Sequence, residues 1–459
     1  MPRGEPQAVL GLHDAVAIIV GIVIGAGIFK APALVAVMAG SPGWMFGAWA
    51  LGGLVSLIGA LCYAELATAY PHAGGDYHFL HRAFGRDVSF LFGWARFSVI
   101  TTGSIALLAF VFGDYVSEVL PLGPRGPALY AAAVVTVLTW VNLRGIKTSA
   151  AAQTGFTVIE VAGLLLIVVA GLFLLGNGSG AAAVTAPAAP ASAPSLASFG
   201  VAMVFVLLTY GGWNDAAYIS AELKDGRRNM VRALVLSIAI ITTLYLLVTW
   251  AYWRGLGLEG MAKSEAIASD LLRVAFGETA GILIAIMVAI AALTSINATM
   301  IVGARTSFAV GRDWPVLGRL GHWDESRGRP VTALLLQGAA ALLLVAIGAF
   351  GGGGFRTMVE FTAPVFWLFF LLSGLSLFVL RAREPQIERP FKVPLYPLLP
   401  LIFVAVCAYM LWSSLSFVYS QALGGFNAAW IGVGVLAIGG VLLLVARRSA
   451  PPLSQPPPR

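Results

Sequence analysis

The chain has 459 residues, 59% of them hydrophobic and only 11% charged, with a net charge of +7. A soluble globular protein carries roughly 25% charged residues, so the length is not divided into soluble domains and a bundle of membrane-spanning helices is expected. The positive balance does not point to nucleic acid, because the basic residues fall in short segments between apolar runs, as they do on the cytoplasmic side of a membrane bundle.

Apolar runs of about 18–25 residues are long enough to cross a bilayer as helices. Twelve are present, at about 15–38, 43–68, 88–113, 127–143, 149–175, 199–221, 233–253, 279–304, 331–350, 357–380, 393–419 and 428–446. No cleavable signal peptide is visible, and the first run, from about Ala15, is expected to stay in the protein. The two cysteines, Cys62 and Cys407, lie inside apolar runs and offer neither a disulfide framework nor metal spacing. His78 and His81 share a loop, but no cysteine joins them and no HExxH is present, so no metal and no other cofactor is expected.

The loops set an orientation. With the N-terminus inside, 21 of the 28 basic residues face inward, among them Arg82, Arg86, Arg144, Lys147, Arg305 and Arg381. Six face outward: Lys30, Arg125, Arg254, Lys263, Arg273 and Arg356; Arg96 falls within span 3. That asymmetry predicts both termini in the cytoplasm and an even number of spans in the plasma (inner) membrane. Residues 180–197 and the tail PPLSQPPPR are Ala/Pro/Ser-rich and Pro-rich segments without the composition of a packed core. Asn177-Gly178-Ser179 is a sequon in the outer loop.

Two spans carry glycines at mid-depth. Span 1 reads VAIIVGIVIGAGIFKAPALV, with Gly25-Ala26-Gly27 at its middle, and span 6 reads VFVLLTYGGWNDAAYIS, with Gly211-Gly212 followed by Trp213 and Asn214. Each glycine weakens a helix interior by about 1 kcal/mol relative to alanine. Small residues also let membrane helices pack closely, and either pair alone admits that reading. Their placement favours broken helices: five spans separate them, an odd number, so the second half of the chain would be an inverted copy of the first. Gly-interrupted segments at matching positions of two halves point to a transporter site. A break exposes backbone N–H groups that favour an anion. Those near Gly27 and Ile28 suit a carboxylate, and the carbonyls from about Leu208 to Gly211 suit an ammonium. Together they describe a zwitterionic amino acid.

The stretches GIVIGAGIF at 21–29, YAELATAYPHAGGDY at 63–77, YGGWNDAAYISAELKDGRRNMVRAL at 210–234 and SINATMIVGARTSFAVGRDWP at 295–315 carry a family likeness over nearly the whole chain. It resembles the amino acid–polyamine–organocation superfamily and, within it, the bacterial L-type and cationic amino acid transporter relatives. The resemblance implies an all-α membrane fold of twelve transmembrane helices. Ten would form a leucine-transporter-like 5+5 inverted-repeat core over 1–390, with repeats at about 10–175 and 199–381 and helices 1 and 6 interrupted. Residues 391–459 would add two peripheral helices and the Pro-rich tail. It implies alternating access around a site between spans 1, 3, 6, 8 and 10. The carboxylate would sit on Gly25, Ala26, Gly27 and Ile28, by backbone alone, since Ala26 stands where relatives have serine. The amino group would sit on Leu208, Thr209 and Gly211, with Trp213 and Asn214 beside it. Leu208 stands where some relatives place an aromatic gate, which leaves Tyr210 or Trp213 as substitutes. Heteromeric members tie to a heavy chain through a cysteine between spans 3 and 4; residues 114–127 contain none, so no disulfide-linked heavy chain is expected.

An ionisable residue at the bilayer centre is a functional candidate. Glu160 lies mid-span in GFTVIEVAGLLL, at the depth of both breaks. The resemblance places a lysine there in many sodium-independent relatives. Two readings stand: a group that exchanges a proton during transport, or a neutral carboxyl that hydrogen-bonds Ser295 for structural reasons. Glu65, Glu222 and Arg305 near the inner surface are candidate gate pairs, Arg96 is placed to snorkel inward, and Thr101, Thr102, Ser104 and Asn297 are further candidate contacts. No paired nucleophile and base suggests an enzyme, and no repeated pore loop or charged ring suggests a channel. The expected function is sodium-independent proton symport or exchange of neutral amino acids. The alternative is a cationic amino acid or polyamine carrier with Asp215 or Glu360 facing the substrate tail.

Overall fold

With no water in the hydrocarbon core, every backbone polar group must be paired inside the protein, which leaves helices as the means by which these apolar runs can cross. The computed structural model describes residues 11–72, 74–145, 150–176, 193–214, 223, 226–324, 329–350, 353–421 and 428–449. The described elements are α1 (Leu12–Val23), a 3-10 turn (Ala26–Phe29), α2 (Ala31–Ala39), α3 (Pro42–Ala69), α4 (Asp76–Phe84), α5 (Arg86–Ala95), a π-helical turn (Arg96–Thr101) and α6 (Thr102–Val119). They continue with α7 (Gly126–Arg144), α8 (Ala150–Gly176), α9 (Leu196–Thr209), α10 (Gly226–Lys263), α11 (Ile267–Phe276) and α12 (Glu278–Asp313). After a 3-10 turn at Pro315–Leu317 come α13 (Val331–Phe350), α14 (Gly354–Arg383), α15 (Leu398–Gln421) and α16 (Ala428–Ser449).

Among the described residues, nine helices are long and apolar enough to cross a membrane, and three apolar helices are shorter: Leu12–Val23, Val158–Leu174 and Leu196–Thr209. Each of the twelve apolar runs in the sequence overlaps one of these; the run at 15–38 also takes in the 3-10 turn and α2, and the run at 199–221 is described only to Asn214. Three were underestimated: span 3 continues to Val119, span 7 runs over Gly226–Lys263, with a non-helical Gly257 near its end, and span 8 continues to Asp313. Two helices were missed. α4 and α11 are short and amphipathic, lie between glycines or polar turns, and carry too few apolar residues to register as spans. The sequon, Lys147, Asp215, Glu222, Lys224 and the Pro-rich tail lie outside the described residues, as does most of 180–197.

The helices pack so that the interrupted segments sit inside. α1 lies along α10, and α2 lies against both α9 and α10. α6 runs between α7, α12 and α14, while α15 and α16 pack on α14. Span 3 passes through the bundle from Arg86 to Val119. Its first end lies beside α4 and its last end beside α11. These two ends, the α4 end and the α11 end, frame the site between them.

Candidate substrate site

α1 stops at Val23. Ile24 and Gly25 are extended, at φ −71°, ψ 90° and φ −121°, ψ −174°, before the chain enters the 3-10 turn. The extended pair cannot continue the α1 ladder, and the leading N–H groups of a new turn have no acceptor within it. α9 stops at Thr209, followed by turn residues Tyr210–Gly212 and 3-10 backbone at Trp213 and Asn214, where this described stretch ends. Gly212 has φ +110°, and a Cβ there would lie 2.9 Å from Ile22 Cγ2. Both facts demand glycine, the first because a left-handed backbone disfavours any Cβ.

The two breaks face each other. A Cβ on Gly27 would meet the Thr209 side chain at 3.4 Å, whereas one on Gly25 would meet nothing within 4 Å. Gly25 therefore borders open space. Gly25, Gly27, Leu208 and Gly211 are half-buried, while Ala26 and Ile28 are fully buried and Thr209 nearly so. Ile22, beside Gly212 at the end of α1, is exposed. The 25–28 and 208–211 segments thus border the gap, with the Thr209 side chain facing Gly27.

Carbonyls released by the breaks find tyrosines. Tyr245 on α10 lies with its hydroxyl 3.0 Å from the Val23 oxygen and 3.2 Å from the Thr209 oxygen, so one hydroxyl spans the last residues of α1 and α9. Tyr115 on α6 donates to the Phe29 oxygen at 2.6 Å. Buried backbone groups at membrane depth need such partners. Both tyrosines are fully buried, and neither was singled out from the sequence, where each reads as one aromatic residue in an apolar run.

Other candidates fall into place around this gap. Glu160 on α8 is 6% exposed, and its hydrogen-bonding neighbour on α12 is Thr294, one residue before the expected Ser295. Thr294 itself donates to the Ala291 oxygen at 2.8 Å. Glu160 also acts electrostatically on Tyr245, which puts it close to the carbonyl bridge. Trp213 packs against Tyr63, Phe370 and Phe403 at ring separations of 5.2, 5.9 and 6.4 Å, so its ring belongs to the packing of α3, α14 and α15. Tyr210 is likewise committed, with its hydroxyl 3.0 Å from the Trp49 oxygen. Asn214 reaches the carboxyl of Asp76 on α4, which also accepts from Tyr63 at 2.6 Å and Ser373 at 2.9 Å and lies in the field of Arg96. Thr102 and Ser104 bond back to helix carbonyls, and Asn297 pairs with Asn142. Thr101 lies against Gly303, within the π-helical turn of span 3.

Charged groups close both ends. At the α4 end, Glu65 is 1% exposed and accepts from Arg381 at 2.7 Å and from the Val393 amide at 2.7 Å. Arg389 adds a contact at 3.5 Å. Arg305, the partner considered from sequence, is exposed. At the α11 end, Lys30 is buried between Asp114 and Glu265. Glu360 pairs with Arg356 at 2.9 Å and lines a small cavity with Val204, Phe205 and Ser414.

A family model described as amino acid permease matches residues 10–440. The chain is 30% identical over 413 residues to the b(0,+)-type amino acid transporter 1 of Mus musculus, an alignment that covers 88% of this chain and 82% of that protein. It is 32% identical over 422 residues to the large neutral amino acids transporter small subunit 2 of Mus musculus, covering 88% and 76%. Against the Homo sapiens protein of the latter name the identity is 31% over the same length. The matched region runs through both helix breaks and every residue of the gap between them. The chain belongs to the amino acid permease family, within the amino acid–polyamine–organocation superfamily, and is an integral multi-pass membrane transporter, not an enzyme.

Proposed function

We propose that this permease moves neutral amino acids by alternating access, without sodium, by proton symport or by exchange. The observation that carries the reading is the meeting of two broken helices, with Gly27 against Thr209 and open space at Gly25. In it, the amide groups of Gly25, Ala26, Gly27 and Ile28 receive the substrate carboxylate, and the carbonyls of Leu208, Thr209 and Gly211 receive its ammonium. Both partners are main-chain dipoles in a water-poor setting, where a charge-assisted hydrogen bond is stronger than a neutral one. The helix order fits a leucine-transporter-like 5+5 inverted repeat of ten helices, with α15 and α16 peripheral. The basic residues at the α4 end then face the cytoplasm with both termini, and the α11 end faces outward.

Of the two acidic residues considered for a cationic substrate tail, Asp215 lies outside the described residues, and Glu360 favours neutral substrates. A cationic side chain needs a free carboxylate, and Glu360 already holds Arg356. Glu160 is the coupling group in this reading, because a charged carboxylate at that depth is costly and its protonation must follow access to water.

A competition or thermal-shift screen of the purified protein against the twenty amino acids tests the substrate class, and Gly27→Leu tests the site. Leucine at 27 meets Thr209 and fills the carboxylate position. The variant should stay folded and monodisperse but lose amino acid binding and uptake. Wild-type uptake by Gly27→Leu would place the site elsewhere.

A further inference from the structure

Asp76 is the first residue of α4 and is 4% exposed. Its Oδ1 accepts from the Tyr63 hydroxyl on α3 at 2.6 Å and from the Ser373 hydroxyl on α14 at 2.9 Å. The same carboxyl takes a hydrogen bond from Asn214 and lies in the field of Arg96 on span 3. Asn214, itself buried, follows Gly211, Gly212 and Trp213. Trp213 sets its ring edge-on to Tyr63 at 5.2 Å. Tyr63 and Asp76, joined by their own bond, therefore form one seat for both residues that leave the span 6 break. An ionised carboxylate has about four acceptor sites, room for all three donors at once.

The break needs such a seat. Gly211 and Gly212 lie between it and α9, and glycine has little backbone preference of its own. The course of the turn is then set by what grips its two ends. On the α9 side the Tyr245 hydroxyl lies 3.2 Å from the Thr209 oxygen. On the other side stand Tyr63 and Asp76. We propose that Asp76 is a positioning residue for the substrate ammonium: through Asn214 it holds the turn so that the carbonyls of 208–211 stay aimed into the gap. The inference rests on the ammonium site proposed above. Asp76 itself touches no substrate. Its role gives α4, at nine residues too short to cross a bilayer, a part in binding.

Substrate affinity separates positioning from mere support. Asp76→Asn keeps one acceptor oxygen, enough for Tyr63 and Ser373, and removes the charge and the second acceptor oxygen that serve Arg96 and Asn214. Uptake into proteoliposomes is measured with the radiolabelled neutral amino acid that competes best in the screen. Asp76→Asn should raise KM about tenfold, the weight of one hydrogen bond to a charged group, and nearly keep the maximal rate per folded molecule. A merely structural loss would lower the number of working molecules and leave KM alone. Asn214→Ala should raise KM similarly. The double variant should be no worse than the poorer single one, because residues that act through one contact are not additive. Should Asp76→Asn fail to fold, Tyr63→Phe takes its place in the cycle; it removes a donor from the same carboxylate and keeps the ring against Trp213. An unchanged KM in the folded variant overturns the proposal, and so do single losses that multiply in the double. Either result beside an inactive Gly27→Leu leaves the substrate site standing, whereas wild-type uptake by Gly27→Leu overturns both.

Discussion

The two break carbonyls share one hydroxyl, and that fixes what a single atom does here. Tyr245 lies against the Val23 and Thr209 oxygens at 3.0 and 3.2 Å, so α1 and α9 end at the same tyrosine. Tyr245→Phe leaves two buried carbonyls without that donor. The cost of an unsatisfied buried polar group is about 1–3 kcal/mol. The variant should therefore melt at a lower temperature in detergent, and it should bind amino acid more weakly because the two halves of the gap lose their common support. Unchanged melting and affinity would mean that water or a neighbour supplies the bond. At this scale the sequence shows the glycines but not the tyrosine. Gly25, Gly27, Gly211 and Gly212 break the pattern of an apolar run, whereas Tyr245, set in TTLYLLVTW, obeys it. Its role arises only when α10 is laid between α1 and α9. The same holds for Thr294, which replaces Ser295 beside Glu160: neighbouring positions on one helix are separated by about 100° of rotation, which sequence spacing does not resolve across two helices.

Helices of full span length were legible because a bilayer sets a length that few other structures demand. The shorter ones were not. α4 and α11 have nine and ten residues and polar faces; α4 owes its position to contacts with span 3 and α14, and α11 to contacts with α12, α10 and α8. Interruption of span 1 was legible from its glycine pair, as was the stop of α9 at Thr209, ahead of Gly211 and Gly212; the extent was not, since the first break opens at Ile24, one residue before the glycines, and the second half of span 6 lies outside the described residues. The closure at the α4 end belongs to this scale too. Glu65, near the end of α3, ties it to α14 through Arg381 and to the segment before α15 through the Val393 amide. Removing one member of a buried ion pair typically costs about 3–5 kcal/mol. Arg381 is partly exposed, so the lower end applies. Glu65→Gln should lower the melting temperature and raise the reactivity of Cys62, which lies one turn earlier on α3 and is buried, toward a thiol reagent supplied from the cytoplasmic face. An unaltered Cys62 would show that α3 and α14 stay together without the charge.

Taken whole, the molecule has a charged closure at each end and a gap bordered by the two breaks between them. Lys30 with Asp114 and Glu265 lies at one end, Glu65 with Arg381 and Arg389 at the other. A transporter by alternating access must open these in turn and never together. In the proton-coupled form of the proposal, Glu160 ties the order of opening to the driving ion. It is buried on α8, bonded to α12 at Thr294 and close enough to act on Tyr245, so its charge is felt where the two breaks are joined. If Glu160 takes a proton from outside and gives it up inside, uptake runs faster when the outside is acid, since protonation from that face then precedes inward opening. Glu160→Gln keeps the shape and a hydrogen-bonding group while fixing neutrality. In proteoliposomes the variant should still bind amino acid and still exchange it across the membrane, because neither step needs net proton movement. It should lose accumulation against a gradient and the acceleration by external acid. Should Glu160→Gln instead accumulate substrate with the wild-type pH profile, Glu160 is a structural link between α8 and α12. Exchange without proton coupling then becomes the mode of transport.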